Sequence, residues 1–368
     1  MKIFHFSDSH LGLSLDNTSR EDDFYNNFER IIKEIIIKKP DVVIHSGDLF
    51  HTSKPSNKAI SVLIKNFLKL QELNIKTIII AGNHDTPRLS TTTHPFEIFK
   101  DFLNISTFYL PKIDSIEITG VNFITLPHIH DENIFKNEFF KAQNLIKKDK
   151  SNIFISHFGI SAKEYEEYTD EISGINITLK ELEILNNFDY VALGHYHKQF
   201  CIKNMCYPGS GEHTSFNQKD YKIGYNLFDT ATKRIEKIEI PSRKMIDLGE
   251  IDCKALENTL ELVNYLEKNI DLILIKDAIV KIILNNINSK LMLEFNERIF
   301  LDFFKDCFYF EYKKIKYLNN NDNKILNIKS NGDIIKDNFS DFFKNIEIDN
   351  SIDKTLLKND LDSLLKEI

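Results

Sequence analysis

Cysteine is scarce in this chain and never suitably spaced. Cys201, Cys206, Cys253 and Cys307 form no CxxC pair and no metal-knuckle spacing, which argues against a cysteine-built metal centre and is the pattern expected of reduced thiols in a cytoplasmic protein. No uninterrupted apolar run reaches about 18 residues, and Asp8 and His10 stand where an export signal would carry its apolar stretch, so neither a membrane span nor export is expected. Excess positive charge is also missing. The formal net charge is −8, so a polyanionic substrate must be met by a local patch or by bound metal ions. There is no internal repeat and no GxxxxGK[ST] loop, which excludes an ATPase of the phosphate-loop type. Histidine is absent from the last part of the chain: all twelve lie at or before His213, so the first part has a use for imidazole that the rest lacks.

What is present describes a globular protein of more than one domain. The 368 residues exceed the size at which a single core usually keeps growing, and 42% apolar residues supply enough material to bury. Over positions 1–240 short apolar runs alternate with helical patterns. "KIFHF", "DVVIH" and "KTIIIA" read as strands, separated by helices in which Phe24, Phe28, Ile31 and Ile35, then Ile60, Leu63, Ile64, Phe67 and Leu68, recur at helical spacing. This βαβαβ rhythm predicts parallel strands with crossover helices. Further strands read at "VNFITL", "NIFIS" and "DYVAL", and at "MCYPG" and "YNLFD". From about position 241 the texture changes to long Ile/Leu/Lys/Glu patterns, expected to form a smaller α+β domain over 241–318. An Asn-rich linker over 319–333 and a helical tail over 334–368 follow.

Chemistry gathers where the apolar runs end. "SDSHLG" brings Asp8 and His10, "SGDLFH" brings Asp48, and "GNHD" brings Asn83 and His84. His157 follows "NIFIS", and "GHYHK" brings His195 and His197. Strand C-termini of βα units converge on one edge, so these residues can meet in one crevice. Asp8, His10, Asp48, Asn83, His157, His195 and His197 are too many ligands for one zinc ion, but they suit two ions sharing a bridging carboxylate. Asp48 is the natural bridge, because a carboxylate offers two oxygens. Asp8, His10 and one of His195 and His197 then belong to one ion; Asn83, His157 and the other histidine belong to the second. Two divalent ions outweigh two aspartates, leaving a positive site that attracts a phosphodiester. Ligation by oxygen and nitrogen without thiolate favours Mn²⁺ or Fe²⁺ over structural Zn²⁺. Adjacent residues in extended backbone face opposite ways, so His84 is free to protonate a leaving oxygen, or to stabilise charge there, while Asn83 faces an ion. Asp85 either fixes a histidine tautomer or closes the loop.

In this order the motifs D-x-H, G-D, G-N-H-D, a lone H and G-H-x-H resemble the calcineurin-like metallophosphoesterase superfamily. "HSGDLFHTSKPS", "GNHDTPRLS", "ISHFG" and "YPGSGEHTSF" narrow the resemblance to SbcD-type nuclease subunits of double-strand-break repair, over roughly residues 1–217. The resemblance implies a metallophosphoesterase βαβ sandwich of two mixed sheets flanked by helices. It further implies a capping domain over 241–318 and a tail that docks on an SbcC-type SMC-like ATPase. It places Asp8, His10, Asp48 and His197 on one Mn²⁺, and Asp48, Asn83, His157 and His195 on the other, with Fe²⁺ or Mg²⁺ as alternatives. His84 becomes the proton donor, His51 is expected near the scissile phosphate, and Arg88 on backbone phosphate. The implied activity is a DNA nuclease, 3′→5′ exonuclease on duplex ends and endonuclease on single strands or hairpins, acting as a homodimer in the cytoplasm. A small-molecule phosphodiesterase, or a scaffold that bridges DNA without cleaving it, is the competing reading. The Asp-Arg-Gly that follows the second motif in protein Ser/Thr phosphatases is replaced by "GDLFHT", against a phosphoprotein substrate. The resemblance leads to an arginine being expected where His213 stands, so a phosphate contact there is not implied. His5 and His45 are expected to be satisfied inside their strands, and His94, His128 and His130 have no assigned role.

Overall fold

Ile3 and Phe4 are neighbours in sequence, yet they are buried in two different cores. Strand alternation puts them on opposite faces, and both faces of this strand are covered. The computed structural model describes residues 1–14, 20–89, 91–163, 165, 174–316 and 327–328. The helical tail expected over 334–368 lies outside them, as does all of the expected linker except 327–328. The chain divides into two units, Met1–Arg243 and Lys244–Ile368.

In the first unit the elements run β1 (Lys2–Phe6), α1 (Glu21–Lys38), β2 (Val42–His45), α2 (Asn57–Glu72), β3 (Lys76–Ile80) and β4 (Ile105–Phe108). Then come β5 (Asp114–Ile118), β6 (Val121–Leu126), α3 (Glu132–Phe140), β7 (Ser151–His157), β8 (Gly159–Ser161) and β9 (Asn176–Thr178). Last are β10 (Tyr190–Gly194), β11 (Phe200–Ile202), β12 (Met205–Tyr207), β13 (Gly224–Asp229) and β14 (Ile235–Glu239). One six-stranded sheet has the order β14-β13-β1-β2-β3-β4 and the other β11-β12-β10-β7-β6-β5. Both are mixed: β1 to β4 pair in parallel, as do β6, β7, β10 and β12, while β13, β14, β5 and β11 join antiparallel.

Three apolar layers hold this sandwich together. Between the sheets lie Ile3, Val42, Ile44, Ile78 and Ile80 from one side and Phe123, Ile153, Ile155 and Ala192 from the other. Outside the first sheet α1 and α2 cover Phe4, Phe6 and Val43. Phe24, Phe28, Ile31, Ile32 and Ile35 form the buried face of α1, each contributing about 1.5–3 kcal/mol of burial. Lys39 in the left-handed region and Pro40 end that helix. Outside the second sheet α3 packs Phe135 and Phe139 against Phe154 and Phe158. His5 is a satisfied polar pin in the inter-sheet layer, its ring nitrogens each 2.8 Å from Tyr190 Oη and Ser46 Oγ.

The expectation of reduced thiols fails at one place. Cys201 and Cys206 are bonded to each other across the β11–β12 hairpin. They are direct partners in the antiparallel register, around a turn with Lys203 at positive φ, so their side chains leave the ladder on the same face. Cys253 and Cys307 are free thiols.

The second unit contains β15 (Met245–Asp252), α4 (Thr259–Asn269), α5 (Leu272–Ile275), β16 (Ile279–Ile287), α6 (Ser289–Leu293), α7 (Glu297–Phe303), β17 (Tyr309–Lys316) and β18 (Asn327–Ile328). Its sheet has the order β15-β16-β17-β18, and Val280, Ile282 and Leu284 of β16 pack on Leu262, Leu266 and Phe300. Helix α4 starts at Thr259, because Asn258 caps it by accepting from Glu261 N–H at 3.0 Å.

Candidate metal centre

The residues at the strand ends converge as expected, but from two sheets. Asp8 and His10 follow β1, Asp48 follows β2 and Asn83 follows β3, all in the first sheet; His157 ends β7 and His195 follows β10, in the second. Asp8, His10, Asp48 and His195 all hold positive φ, from 41° to 103°, although none is glycine. Such backbone is costly for ordinary residues and persists where surrounding structure over-determines it. Two glycines make the close approach feasible. A Cβ at Gly82 would lie 2.1 Å from Asp48 Oδ1, and one at Gly194 would lie 2.2 Å from the Ser46 carbonyl and 2.7 Å from His157 Nδ1. The G in "GNHD" and in "GHYH" is therefore room for the neighbouring strand end.

Asp48 sits at the middle. Its Oδ1 accepts the His84 backbone N–H at 2.9 Å. Its Oδ2 is fully buried with no hydrogen bond, 3.3 Å from His157 Nε2 and 3.9 Å from His10 Nε2. The Ser46 carbonyl can only accept, so the His157 proton sits on Nδ1 (2.9 Å) and the lone pair on Nε2. That nitrogen also faces Asn83 Oδ1 at 2.9 Å. Three acceptors thus point at one another, an arrangement that needs a positive charge among them. Without a metal, a proton fills the role. Burial works against it, but the adjacent Asp48 carboxylate wins and pushes His157 up to about 10. Burial likewise opposes the Asp48 charge, yet His157 and His84 hold its carboxyl well below the usual range.

On the other side His10 Nε2 and His197 Nε2 are 3.1 Å apart, and Asp8, His10 and His197 have ligand atoms close enough to share one ion. A second such group is Asp8, Asp48 and His157, which puts Asp8 between both halves. The Asp8 carboxylate also accepts the His195 N–H at 3.0 Å and the Ser7 hydroxyl. The His195 ring lies 5.4 Å from that of His157, centroid to centroid. The donor set of oxygen and nitrogen atoms around the buried Asp48 Oδ2 therefore fits divalent metal ions.

His84 and His51 stand at the mouth. Their rings stack at 5.1 Å, and the His84 ring is 4.9 Å from that of His10. His84 Nδ1 donates to the His51 carbonyl at 2.7 Å, so its other nitrogen is the one available to a substrate. Arg88 is exposed on the same loop.

Several further residues support these loops. Asp85 is buried and accepts the backbone N–H groups of Leu49, Phe50 and Gly82 at 3.0, 2.8 and 3.1 Å, tying the Asp48 loop to the Asn83 loop. Of its two expected roles, closing the loop is the one seen. Burial and the Asp48 charge push its carboxyl up to about 7 against those three donors. Thr214 and Gln218 contact His197 Nδ1 at 3.2 and 3.0 Å, and no spacing rule marks them. His45 bonds Ser9 Oγ at 2.9 Å, supporting the Asp8–His10 loop. His94 caps a turn by accepting Phe96 N–H at 3.1 Å, and buried His213 bonds the Tyr221 carbonyl at 3.0 Å, so both are structural.

A fold of two mixed sheets with metal-competent strand ends defines a metallophosphoesterase. The family described as calcineurin-like phosphoesterase matches residues 1–199, and the chain belongs to it. Its kinship within that family is with the Mre11 and SbcD proteins. DNA double-strand break repair protein Mre11 of Methanocaldococcus jannaschii is 33% identical over 288 residues, covering 73% of this chain and 74% of the relative. The protein of the same name from Methanococcus maripaludis is 28% identical over 389 aligned residues, covering 99% and 97%. The SbcD component of nuclease SbcCD from Staphylococcus epidermidis is 29% identical over 289 residues, covering 73% and 77%. No described helix is long and apolar enough to cross a membrane.

Proposed function

We propose that the chain is a manganese-dependent DNA nuclease of double-strand-break repair, a 3′→5′ exonuclease on duplex ends and an endonuclease on single strands or hairpins. The observation that carries this reading is the buried Asp48 Oδ2 between His10 and His157, with no hydrogen bond of its own. Asp8, His10, Asp48 and His197 would hold one Mn²⁺, and Asp48, Asn83, His157 and His195 the other, with Fe²⁺ or Mg²⁺ as alternatives. Ions held there supply an activated water and draw charge from the phosphoryl oxygens. The chain itself handles the leaving group. Because the His51 carbonyl keeps a proton on His84 Nδ1, His84 acts as the imidazolium: the proton it gives to the departing sugar oxygen comes from Nε2, and the neutral Nδ1–H ring remains. His51, stacked on His84, borders the scissile phosphate.

The names of the relatives support DNA as substrate and, for a subunit of nuclease SbcCD, a C-type partner; in this reading that partner is an SMC-like ATPase of the SbcC type and the setting is the cytoplasm. Homodimerisation is supported by α2, whose outward face carries Ile60, Ile64 and Leu68 at four-residue spacing, with Leu68 42% exposed.

The test is a Mn²⁺ titration of cleavage on end-labelled linear duplex, with His84→Ala and a cyclic nucleotide in parallel. Mononucleotide release that vanishes in the variant, with cyclic nucleotide intact, is expected. Turnover of cyclic nucleotide with intact DNA would overturn the reading.

A further inference from the structure

The segment from Gly209 to Gln218 supplies none of the candidate ligands, yet it forms a wall behind part of the metal centre. Ser210 N–H donates to the His197 carbonyl at 3.2 Å, and Gly211 N–H donates to the Asp8 carbonyl at 2.9 Å. Gly209, at φ 84°, makes this approach feasible, because a Cβ there would lie 3.0 Å from the His197 carbonyl oxygen. Thr214 and Gln218, further along, contact the ring of the same histidine. Whatever fixes this segment therefore helps to fix Asp8 and His197.

A largely buried cluster of ions fixes it. Glu212 is 1% exposed. Its Oε1 accepts the His213 N–H at 2.9 Å, and its Oε2 accepts from Asn27 Nδ2 at 2.8 Å and from the Arg243 N–H at 3.2 Å. Arg20, fully buried, brings Nη2 to 3.5 Å from Glu212 Oε1 and donates from Nη1 to the His213 carbonyl. Asp23, in the first turn of α1, completes the cluster. Arg20 Nε donates to it at 3.3 Å, and Arg243 grips it through Nε at 2.7 Å and Nη2 at 2.6 Å.

Such a cluster is a poor source of stability. Taking two guanidinium groups and two carboxylates out of water is costly, and apolar side chains of the same volume would hold the segment as firmly. What directed, charge-assisted hydrogen bonds add is a fixed position. The position fixed here is that of the backbone against which Asp8 and His197 rest. For the Asp48 and Asn83 loops the Asp85 carboxylate does the equivalent. The centre thus has two buried carboxylate anchors, each serving different ligands.

We propose that Glu212, oriented by Arg20, is a positioning residue for one ion of the pair, that of Asp8, His10, Asp48 and His197, and that the ion on Asn83, His157 and His195 does not depend on it. The inference rests on the two-ion reading and gives the two sites separate supports.

Calorimetric Mn²⁺ binding to the full-length protein at pH 8 tests it; burial pushes the Glu212 carboxyl up to about 7, so the wild type is then ionised. Asn83→Ala leaves the ion of Asp8 and His197, and His197→Ala leaves the other. Adding Glu212→Gln, which removes the charge that Arg20 faces, should weaken Mn²⁺ about tenfold in the Asn83→Ala protein and by less than about twofold in the His197→Ala protein. Arg20→Lys keeps a positive charge but loses the fork, so it should weaken the same ion alone, by a smaller factor, and it carries the test if the amide variant does not fold. A general loss of structure would weaken both ions alike. Equal weakening in both backgrounds, or none in either, would overturn the positioning role alone. One Mn²⁺ per wild-type chain would overturn the two-ion reading and the inference with it.

Discussion

Replacing Asp85 by Asn tests whether the metal centre depends on a residue that never reaches an ion. The Asp85 carboxylate accepts three backbone N–H groups, two on Oδ2 (Leu49 and Gly82) and one on Oδ1 (Phe50). An amide of the same shape can keep its oxygen only at one position. With the oxygen at the Oδ2 position, two bonds survive without their charge assistance, at about 1 kcal/mol each. The amide NH₂ then faces the Phe50 N–H, losing the third bond and stranding a buried donor, for about 1–3 kcal/mol more. A total of about 3–5 kcal/mol should lower Tm by about 6–20 °C for a domain of this size. The assay is thermal unfolding in EDTA at pH 8, above the value of about 7 to which burial and Asp48 push this carboxyl, so that the wild type is ionised. The Mn²⁺ activation curve should also move to higher concentration, because Asp48 and Asn83 lose their common tie. A Tm within 2 °C of wild type together with a superimposable Mn²⁺ curve would refute the clamp.

Other expectations can be checked separately. His84→Ala should lower kcat by about 10²–10⁴ while calorimetric Mn²⁺ binding persists, since the ring is assigned to proton donation and not to ligation. His94 is held at about 4, mainly by burial, against an ordinary value of 6.5, and it caps its turn as a neutral acceptor. Its folded pKa is depressed, so its stabilising share is present above pH 6.5 and is lost as pH falls toward 4; His94→Asn, which can also cap, should flatten that part of the Tm–pH profile. Thiol titration of the denatured, unreduced chain should find the two free cysteines, Cys253 and Cys307, and all four only after reduction. EDTA should lower Tm and excess Mn²⁺ should restore it, by about 2.7 kcal/mol of stabilisation at a hundredfold excess over Kd.

His157 illustrates how much could be read from sequence. Its position at the end of "NIFIS" marked it as a strand-end ligand, and it does end β7 with its Nε2 toward Asp48. That inference needed only period-two apolar runs and the direction of parallel strands. What spacing could not convey is the partner across the sandwich, the Ser46 carbonyl that selects the ligating nitrogen, because that contact joins two sheets. The same limit left two roles open for Asp85, whose donors Leu49 and Phe50 lie in another loop, and hid the Cys201–Cys206 bond, which depends on a short hairpin with half-exposed β11. Strand β14, "IEKIE", was also missed: it is an edge strand whose alternation is diluted by charge. Phe24, Phe28, Ile31 and Ile35 did announce α1, since burying one helical face leaves a strong periodic trace.

Because its ligands come from both sheets, the metal centre has a birth order. His10 and His197 are separated by 187 residues, and at ordinary rates of translation the ribosome needs about 10–40 s to pass from one to the other. For most of that interval the nascent chain carries Asp8, His10 and Asp48 without His195 and His197, which follow β10. The first sheet cannot receive β13 until later still. A message cut short before Gly194 therefore encodes a polypeptide without His195 and His197, and the full set of candidate ligands exists only at the last stage of making the protein.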